Sequence, residues 1–364
     1  GIGSSVYGPQ SRNIQTTRPG GFEPGGHWKI VDLDGARILV VGGAGLIGSH
    51  VVDELLKTRV KEVVVYDNFA RGRLDNLQEA FKDPRVSVFP HGGDVLQRDI
   101  LDKAMEGIDG VFHLAALWIL QCHEYPETAF EVNVRGTFNV VMAAIRAKVK
   151  RVVFSSSASV YGDAVEIPMT EDHPYNNFTF YGASKIAGEH FFKSLGRRYG
   201  LDWVGLRYMN VYGPRQDYKG AYIAVMHKIL DRIERGESPV VYGDGSQQYD
   251  FVHVADVARA NVLAMQARAS GLCYNVGRGI GTTIKELTEL LLRLTESDLP
   301  IRYEPAGLTF VTNRIGCAKR AEQDLGYRWK IDLEEGMKSL IAWRRSDAAA
   351  LEARRRNLGG VQAA

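Results

Sequence analysis

The sequence predicts an α/β protein, a doubly wound parallel sheet with a smaller C-terminal lobe. Three observations predict it. Short apolar runs alternate with helical periodicity six times between Arg37 and Leu206. A glycine-rich turn joins the first run to the first helix. After about Asn210 the alternation gives way to glycine turns and short, irregular segments.

The elements follow in order. Ile38–Val41 is an apolar run ending at glycines, the pattern of a strand buried on both faces. Leu46–Lys57 has helical spacing. Val63–Tyr66 is the second strand, closed by Asp67, and Val86–Phe89 the third. Gly110–Leu114 follows a helical segment. Residues 132–148 read as a helix, Arg151–Phe154 as a strand, Ser184–Tyr199 as a helix and Trp203–Leu206 as a strand. A helix is expected near Ile223–Arg235, a turn at Gly243-Asp244-Gly245, strand and helix character again over 251–277, and helices over 283–295 and 334–345. The end, with its Arg354-Arg355-Arg356 run, reads as a solvated or frayed helix.

The chain has 364 residues, 45% hydrophobic and 24% charged, which excludes disorder along its whole length and allows a sizeable core. With 45 basic and 43 acidic residues the net charge is +2, so nothing marks a nucleic-acid binder. Cys122, Cys273 and Cys317 lie far apart with no CxxC pair, against a zinc ribbon or a disulfide framework and in keeping with a reducing compartment. The longest apolar stretch, Ile38–Val52, is broken by Gly42, Gly43, Gly45 and Gly48, so no membrane span is expected. The expected location is cytoplasmic.

Gly42-Gly43-Ala44-Gly45-Leu46-Ile47-Gly48 lies between the first strand and the first helix. Gly42 permits a tight turn, Gly45 a close approach to a pyrophosphate, and Gly48 close packing of helix on strand. The helix N-terminus then faces the phosphates. Asp67, 19 residues past Gly48, ends the second strand, where a carboxylate accepts hydrogen bonds from a ribose diol and repels a 2′-phosphate. NAD is therefore favoured over NADP, with Arg71 and Arg73 near in sequence. Asp94 is expected to end the third strand and reach the adenine edge.

Tyr181 and Lys185 stand in YxxxK spacing, which shares one helix face. An ammonium beside the phenol would favour the phenolate and make Tyr181 a general base. Ser157 closes a strand on the same sheet edge as the glycine turn and can hydrogen-bond a hydroxyl or carbonyl undergoing interconversion.

Taken together, these residues resemble the extended short-chain dehydrogenase/reductase family, and within it the nucleotide-sugar epimerases close to the UDP-glucose 4-epimerases. The resemblance runs from about Arg37 to Trp343. It rests on 42–48, Tyr66-Asp67-Asn68, His113-Leu114-Ala115-Ala116, Asn133-Val134-Arg135-Gly136-Thr137, the segment 155–162, Tyr181 with Lys185, the segment 207–214, and Gly243-Asp244-Gly245. It implies a Rossmann domain over 31–209 that binds NAD, with 251–277 returning to it. A substrate-binding lobe would comprise 210–250 and 278–345, between a flexible tail at 1–30 and another at 346–364. The N-terminal tail could instead be an arm anchored by Phe22 and Trp28.

The resemblance also implies roles. Gly42, Gly45, Leu46, Ile47, Gly48, Asp67, Asn68, Asp94, Val95, Leu114, Ala115, Ala116, Asn133, Tyr181, Lys185 and Tyr208 would contact NAD. Ser157, Asn210, Ala221, Tyr222, Tyr249 and Arg314 would contact a nucleotide-diphosphate sugar, a UDP-sugar being favoured. Tyr181 would take the proton from a sugar hydroxyl, C4 in the relatives, while Ser157 steadies the carbonyl and Lys185 holds the nicotinamide ribose. A homodimer is implied through helices within 127–149 and 183–199.

Departures from the family shape the choice of reaction. Dehydratases and decarboxylases of this kind carry an acid just after the catalytic Ser or Thr; here Ala158 and Ser159 stand there. Eliminating water needs a further acid and base, so simple epimerisation is favoured. The alternatives are a dehydratase, a decarboxylase, a 3,5-epimerase using Cys122 and His123, a net oxidoreductase, or a non-catalytic NAD-binding protein. Tyr249 stands where many relatives have a phosphate-gripping Arg, a charge that Arg215 or Arg314 could supply. Trp118–His123, expected beside the sugar ring, differs from the glucose-epimerase pattern.

Overall fold

The computed structural model describes residues 30–219, 224–306 and 311–361. Within it, Arg37–Val41 (β1), Glu62–Tyr66 (β2), Val86–Val88 (β3), Gly110–His113 (β4), Arg151–Ser157 (β5) and Asp202–Tyr208 (β6) are strands. Between them come helices Leu46–Leu56 (α1), Arg98–Ala104 (α2), Ile119–Glu124 (α3), Pro126–Ala129 (α4), Gly136–Arg146 (α5) and Phe180–Tyr199 (α6). The second half adds β7 (Asn210–Tyr212), α7 (Val225–Glu234), β8 (Val240–Tyr242), β9 (Gln248–Tyr249), β10 (Phe251–His253), α8 (Val254–Gln266) and β11 (Leu272–Val276). Last come β12 (Thr282–Thr283), α9 (Ile284–Leu294), β13 (Arg302–Glu304), β14 (Asn313–Arg314), α10 (Lys319–Leu325) and α11 (Leu333–Val361).

The predicted doubly wound sheet is present. Seven strands, all parallel, run in the order β11-β6-β5-β4-β1-β2-β3. Alternate residues of the apolar runs feed opposite faces, as a strand's period of two requires. Ile38, Val40, Val63 and Val65 join one core beneath α1 and α8, while Leu39, Val41, Val64 and Tyr66 join the other beneath α2, α5 and α6. Chain order reverses between β1 and β4, and such a switch point opens a ligand crevice at the strands' carboxyl ends.

Beyond β6, β11 returns to the main sheet beside β6 and α8 packs on α1. A third core, with Ile229, Leu230, Leu287, Leu291, Met337 and Leu340, is built by α7, α9 and α11.

Three elements differ from expectation. The third strand stops at Val88, six residues short of Asp94, because Pro90-His91-Gly92-Gly93 turns the chain. The helix read over 132–148 is interrupted by a π-helical turn at Phe130–Arg135 before α5 begins. The last helix does not end near residue 345 but continues to Val361, since no Gly or Pro occurs between Met337 and Leu358. The N-terminal tail, with Phe22 and Trp28, lies outside the described residues.

Candidate active site

The glycine turn is fixed by close approach. Gly42 has φ +83°, and a Cβ on it would stand 2.6 Å from the Ala115 amide nitrogen. The loop after β4 crosses here, with the Leu114 and Ala115 amides donating to the Val41 carbonyl at 2.8 and 3.1 Å. A Cβ on Gly48 would overlap the Gly42 carbonyl. Helix α1 follows Gly45 with no side-chain cap, so the amides of Leu46 and Ile47 are donors for an anion.

Asp67 folds back on this turn. One carboxylate oxygen accepts the Ala44 amide at 2.9 Å and the other the Phe69 amide at 2.8 Å. Burial pushes its carboxyl up, and the two amides hold it down. Asn68 closes a local turn onto the Ala70 amide. Asp94, although not at a strand end, lies in the neighbouring loop, which comes so close to Asp67 that a Cβ on Gly93 would overlap the Asp67 carbonyl. Its side chain accepts the Leu96 amide at 2.9 Å. Val95 is buried, its carbonyl held by Asn139 at 3.0 Å.

Tyr181 enters the same crevice because α6 starts earlier than its periodicity suggests. Thr179 caps the helix, accepting the Gly182 amide at 3.0 Å, and Asn177 fixes Thr179 in turn at 2.8–2.9 Å. Tyr181 thus sits in the first turn and hydrogen-bonds with Ser157 at the end of β5. Ser157 also bonds the Ser159 hydroxyl and amide, both at 3.1 Å.

The expected lowering of the Tyr181 pKa by Lys185 is not found. Burial pushes the phenol up to about 12; Ser157, Arg314 and Arg71 pull the other way, while Cys122 adds to the rise. Lys185, buried, donates instead to the Ser155 carbonyl at 2.8 Å, and burial brings its own pKa down to about 8.

Asn133 is turned inward by the π-helical segment. It accepts the Leu117 amide at 2.7 Å and donates to the Leu117 carbonyl, the Cys122 thiol and the Ser184 hydroxyl at 3.1–3.3 Å. The Cys122 thiol is buried, donates to the Leu117 carbonyl at 3.4 Å, and is pushed up to about 11 by burial. His123 is exposed. Tyr208 commits its hydroxyl to Ser155 at 2.9 Å and Asn261 at 3.0 Å.

From the lobe, β14 pairs Arg314 with Tyr249 of β9. Burial lowers the Arg314 guanidinium to about 10; the charges acting on it belong to Tyr249, Tyr181 and Asp163, and its Nε has no hydrogen-bond partner. The Asn210 amide oxygen is likewise buried without a partner. Tyr249 spends its hydroxyl on the Val311 carbonyl at 2.7 Å. Arg215 pairs through one guanidinium nitrogen with Asp53 at 2.7 Å, while its other terminal nitrogen is buried without a partner. Ala221 and Tyr222 lie outside the described residues.

Comparisons with known proteins identify the family. A model of the NAD-dependent epimerase/dehydratase family matches residues 38–277. The chain belongs to that family. It is 34% identical over 313 residues to a putative UDP-glucose 4-epimerase of Methanocaldococcus jannaschii, covering 85% of this chain and 99% of that one. It is 33% identical over 327 residues to a dTDP-glucose 4,6-dehydratase of Actinoplanes, covering 85% and 98%. The structure of Thermus thermophilus UDP-glucose 4-epimerase in complex with NAD superposes with a TM-score of 0.76 at 32% identity, covering 85% and 99%.

NAD is the cofactor of this family, and the residues present fit it. The crevice has the uncapped helix for a pyrophosphate, the cleared turn at Gly42, and a carboxylate at Asp67 beside it. Asp163 escaped the sequence reading, and Arg71, noted there only beside the choice of NAD over NADP, takes a different place. Arg71 lies over the Trp118 ring at 5.2 Å and acts electrostatically on Tyr181. Asp163 fastens the lobe, accepting the Thr312 and Asn313 amides at 3.0 and 3.1 Å beside Arg314. Neither carries a sequence signal, since each depends on a neighbour more than 45 residues away.

Proposed function

We propose that this enzyme epimerises a nucleotide-diphosphate sugar at C4 through a transient 4-keto sugar, with UDP-sugars as the favoured class. The observation that carries the reading is the Ser157–Tyr181 hydrogen bond at the sheet's carboxyl edge, followed by buried Ala158 and Ser159 in place of acids. Bound NAD would supply a hydride acceptor that gives the hydride back. Tyr181, as phenolate, takes the proton of the 4-hydroxyl and later returns it. Ser157 donates a hydrogen bond to the oxygen as it becomes a carbonyl. Lys185 braces α6 against β5 and adds positive charge beneath the crevice. Arg314, whose Nε donor has no partner, is assigned the diphosphate, and the family resemblance assigns Asn210 to the same region through its amide NH2.

Elimination or decarboxylation would need further proton-transfer groups. Ala158 carries no such group, Ser159 carries only a hydroxyl, which accepts from Ser157, and the Cys122 thiol donates to the Leu117 carbonyl. This supports epimerisation over the other reactions found among the relatives. The solvent-exposed Phe138, in edge contact with Phe191 at 5.8 Å, gives α5 and α6 an apolar face suited to a homodimer. The test is product NMR after incubation with UDP-, GDP-, CDP- and dTDP-sugars. A C4 diastereomer of one of them supports the reading; a product lacking water or carbon dioxide, or stoichiometric NADH, overturns it.

A further inference from the structure

Residues 215–219, which take no part in the proposed chemistry, join α1, the loop after β2 and α11. Residues 215–219 leave β7 and run from α1 toward the C-terminal helix, fastened at each step. Arg215, held at φ +72°, pairs with Asp53 of α1 at 2.7 Å. Asp217 approaches the Arg71 guanidinium at 3.9 Å. Tyr218 and Lys219 both donate to the second carboxylate oxygen of Asp347, each at 2.8 Å. The first carboxylate oxygen of Asp347 takes Arg73 at 3.1 Å.

Arg71 and Arg73 belong to the loop that begins at Asp67. That loop lies on the glycine turn, since the Arg73 amide donates to the Ala44 carbonyl at 3.1 Å while the Ala44 amide donates to Asp67. One carboxylate on α11 thereby ties the loop that lies on the glycine turn to residues 215–219. The Tyr218 ring is clamped as well, with the Arg344 guanidinium 4.6 Å above it and Trp343 edge-on at 5.6 Å. Isolated surface ion pairs contribute little. Asp347 is different because its side chain is only 14% exposed and gathers three donors from two separate segments. It lies past Trp343, where the family resemblance ends.

We propose that residues 215–219 form a strap over the cofactor crevice and that Asp347, as a positioning residue, holds the strap to the 67–73 loop and slows the departure of NAD. A reaction that returns its hydride each turnover has no need to release the cofactor, so retention serves it. The inference rests on NAD as cofactor and is indifferent to which sugar reaction follows.

The test uses the full-length holoprotein. NAD content per chain is measured first, which checks the cofactor assignment separately. NAD release is then followed by trapping freed NAD with a soluble dehydrogenase and reading NADH fluorescence. Asp347→Asn is expected to release NAD about tenfold faster, the loss of roughly one charge-assisted hydrogen bond. The melting temperature of the cofactor-stripped protein should stay in place, and Asp347→Glu should restore slow release. Added salt should speed release from the unmodified protein more than from Asp347→Asn. Unchanged release from Asp347→Asn overturns the proposal, as does faster release that tracks a fall in melting temperature and is not restored by Asp347→Glu.

Discussion

Lys185 gives its ammonium to the Ser155 carbonyl oxygen, 2.8 Å away, and its nitrogen stands 5.5 Å from the centre of the Tyr181 ring. The helix does place the two residues on one face, as i and i+4 require. Even so, the ammonium acts on the strand behind the phenol, and the phenol keeps the high pKa that burial gives it. The remaining fall toward neutrality is therefore assigned to what binds beside it, above all a cationic nicotinamide ring.

The phenol's own titration follows directly. In cofactor-stripped protein Tyr181 should ionise near pH 12. In the holoprotein its midpoint should move down. Ultraviolet difference titration of both forms, with Tyr181→Phe as the blank, measures this; equal midpoints would contradict the assignment.

Removing the phenol should remove the chemistry and spare the binding. Tyr181→Phe is expected to lower kcat by roughly 10²–10⁴-fold, the usual worth of a positioned general base. NAD content and nucleotide affinity should change little, which equilibrium binding would report.

Lys185 has a pH signature of its own. Its pKa in the fold is about 8, below the 10.5 of an unhindered lysine. Between those values the unfolded chain binds the extra proton, so stability of the cofactor-stripped protein should rise with pH across that window. The effect should be on the order of 3 kcal/mol over the whole interval. Lys185→Met should flatten that rise and reduce turnover. Denaturant melts at pH 7.5 and 10 test it; the same slope in both proteins would refute the burial cost.

Arg314 should act through the ligand more than through the fold. Its Nε lacks a partner, and burial depresses its pKa. Arg314→Gln is expected to weaken binding of a free nucleoside diphosphate by roughly 10–100-fold, the range for a lost charge-assisted hydrogen bond. The melting temperature of the ligand-free protein should not fall. Calorimetric titration with UDP, alongside a thermal melt, reads both effects.

The sheet was legible because its signals are local. Ile38–Val41 and Val63–Tyr66 alternate into two cores, and Gly42 and Gly48 sit where a Cβ has no room. Ser157, Tyr181 and Lys185 converge as their spacing and strand edge suggested. Contacts set by tertiary packing were not legible. The partner of Lys185 is a backbone carbonyl 30 residues away, and Asp163 meets Thr312 across 149 residues. The length of α11 was not legible because the sequence past Trp343 carries no apolar stripe to announce a helix.

In the proposed reaction hydride leaves C4 and returns to C4 of the same sugar. Its most direct test is turnover of the active nucleotide sugar carrying deuterium at C4, in ordinary water, with the product read by NMR and mass spectrometry. The expected product is a C4 epimer that keeps the deuterium at C4 and has an unchanged mass. Loss of that deuterium to solvent, its transfer to another carbon, or a product lighter by water or carbon dioxide would contradict it.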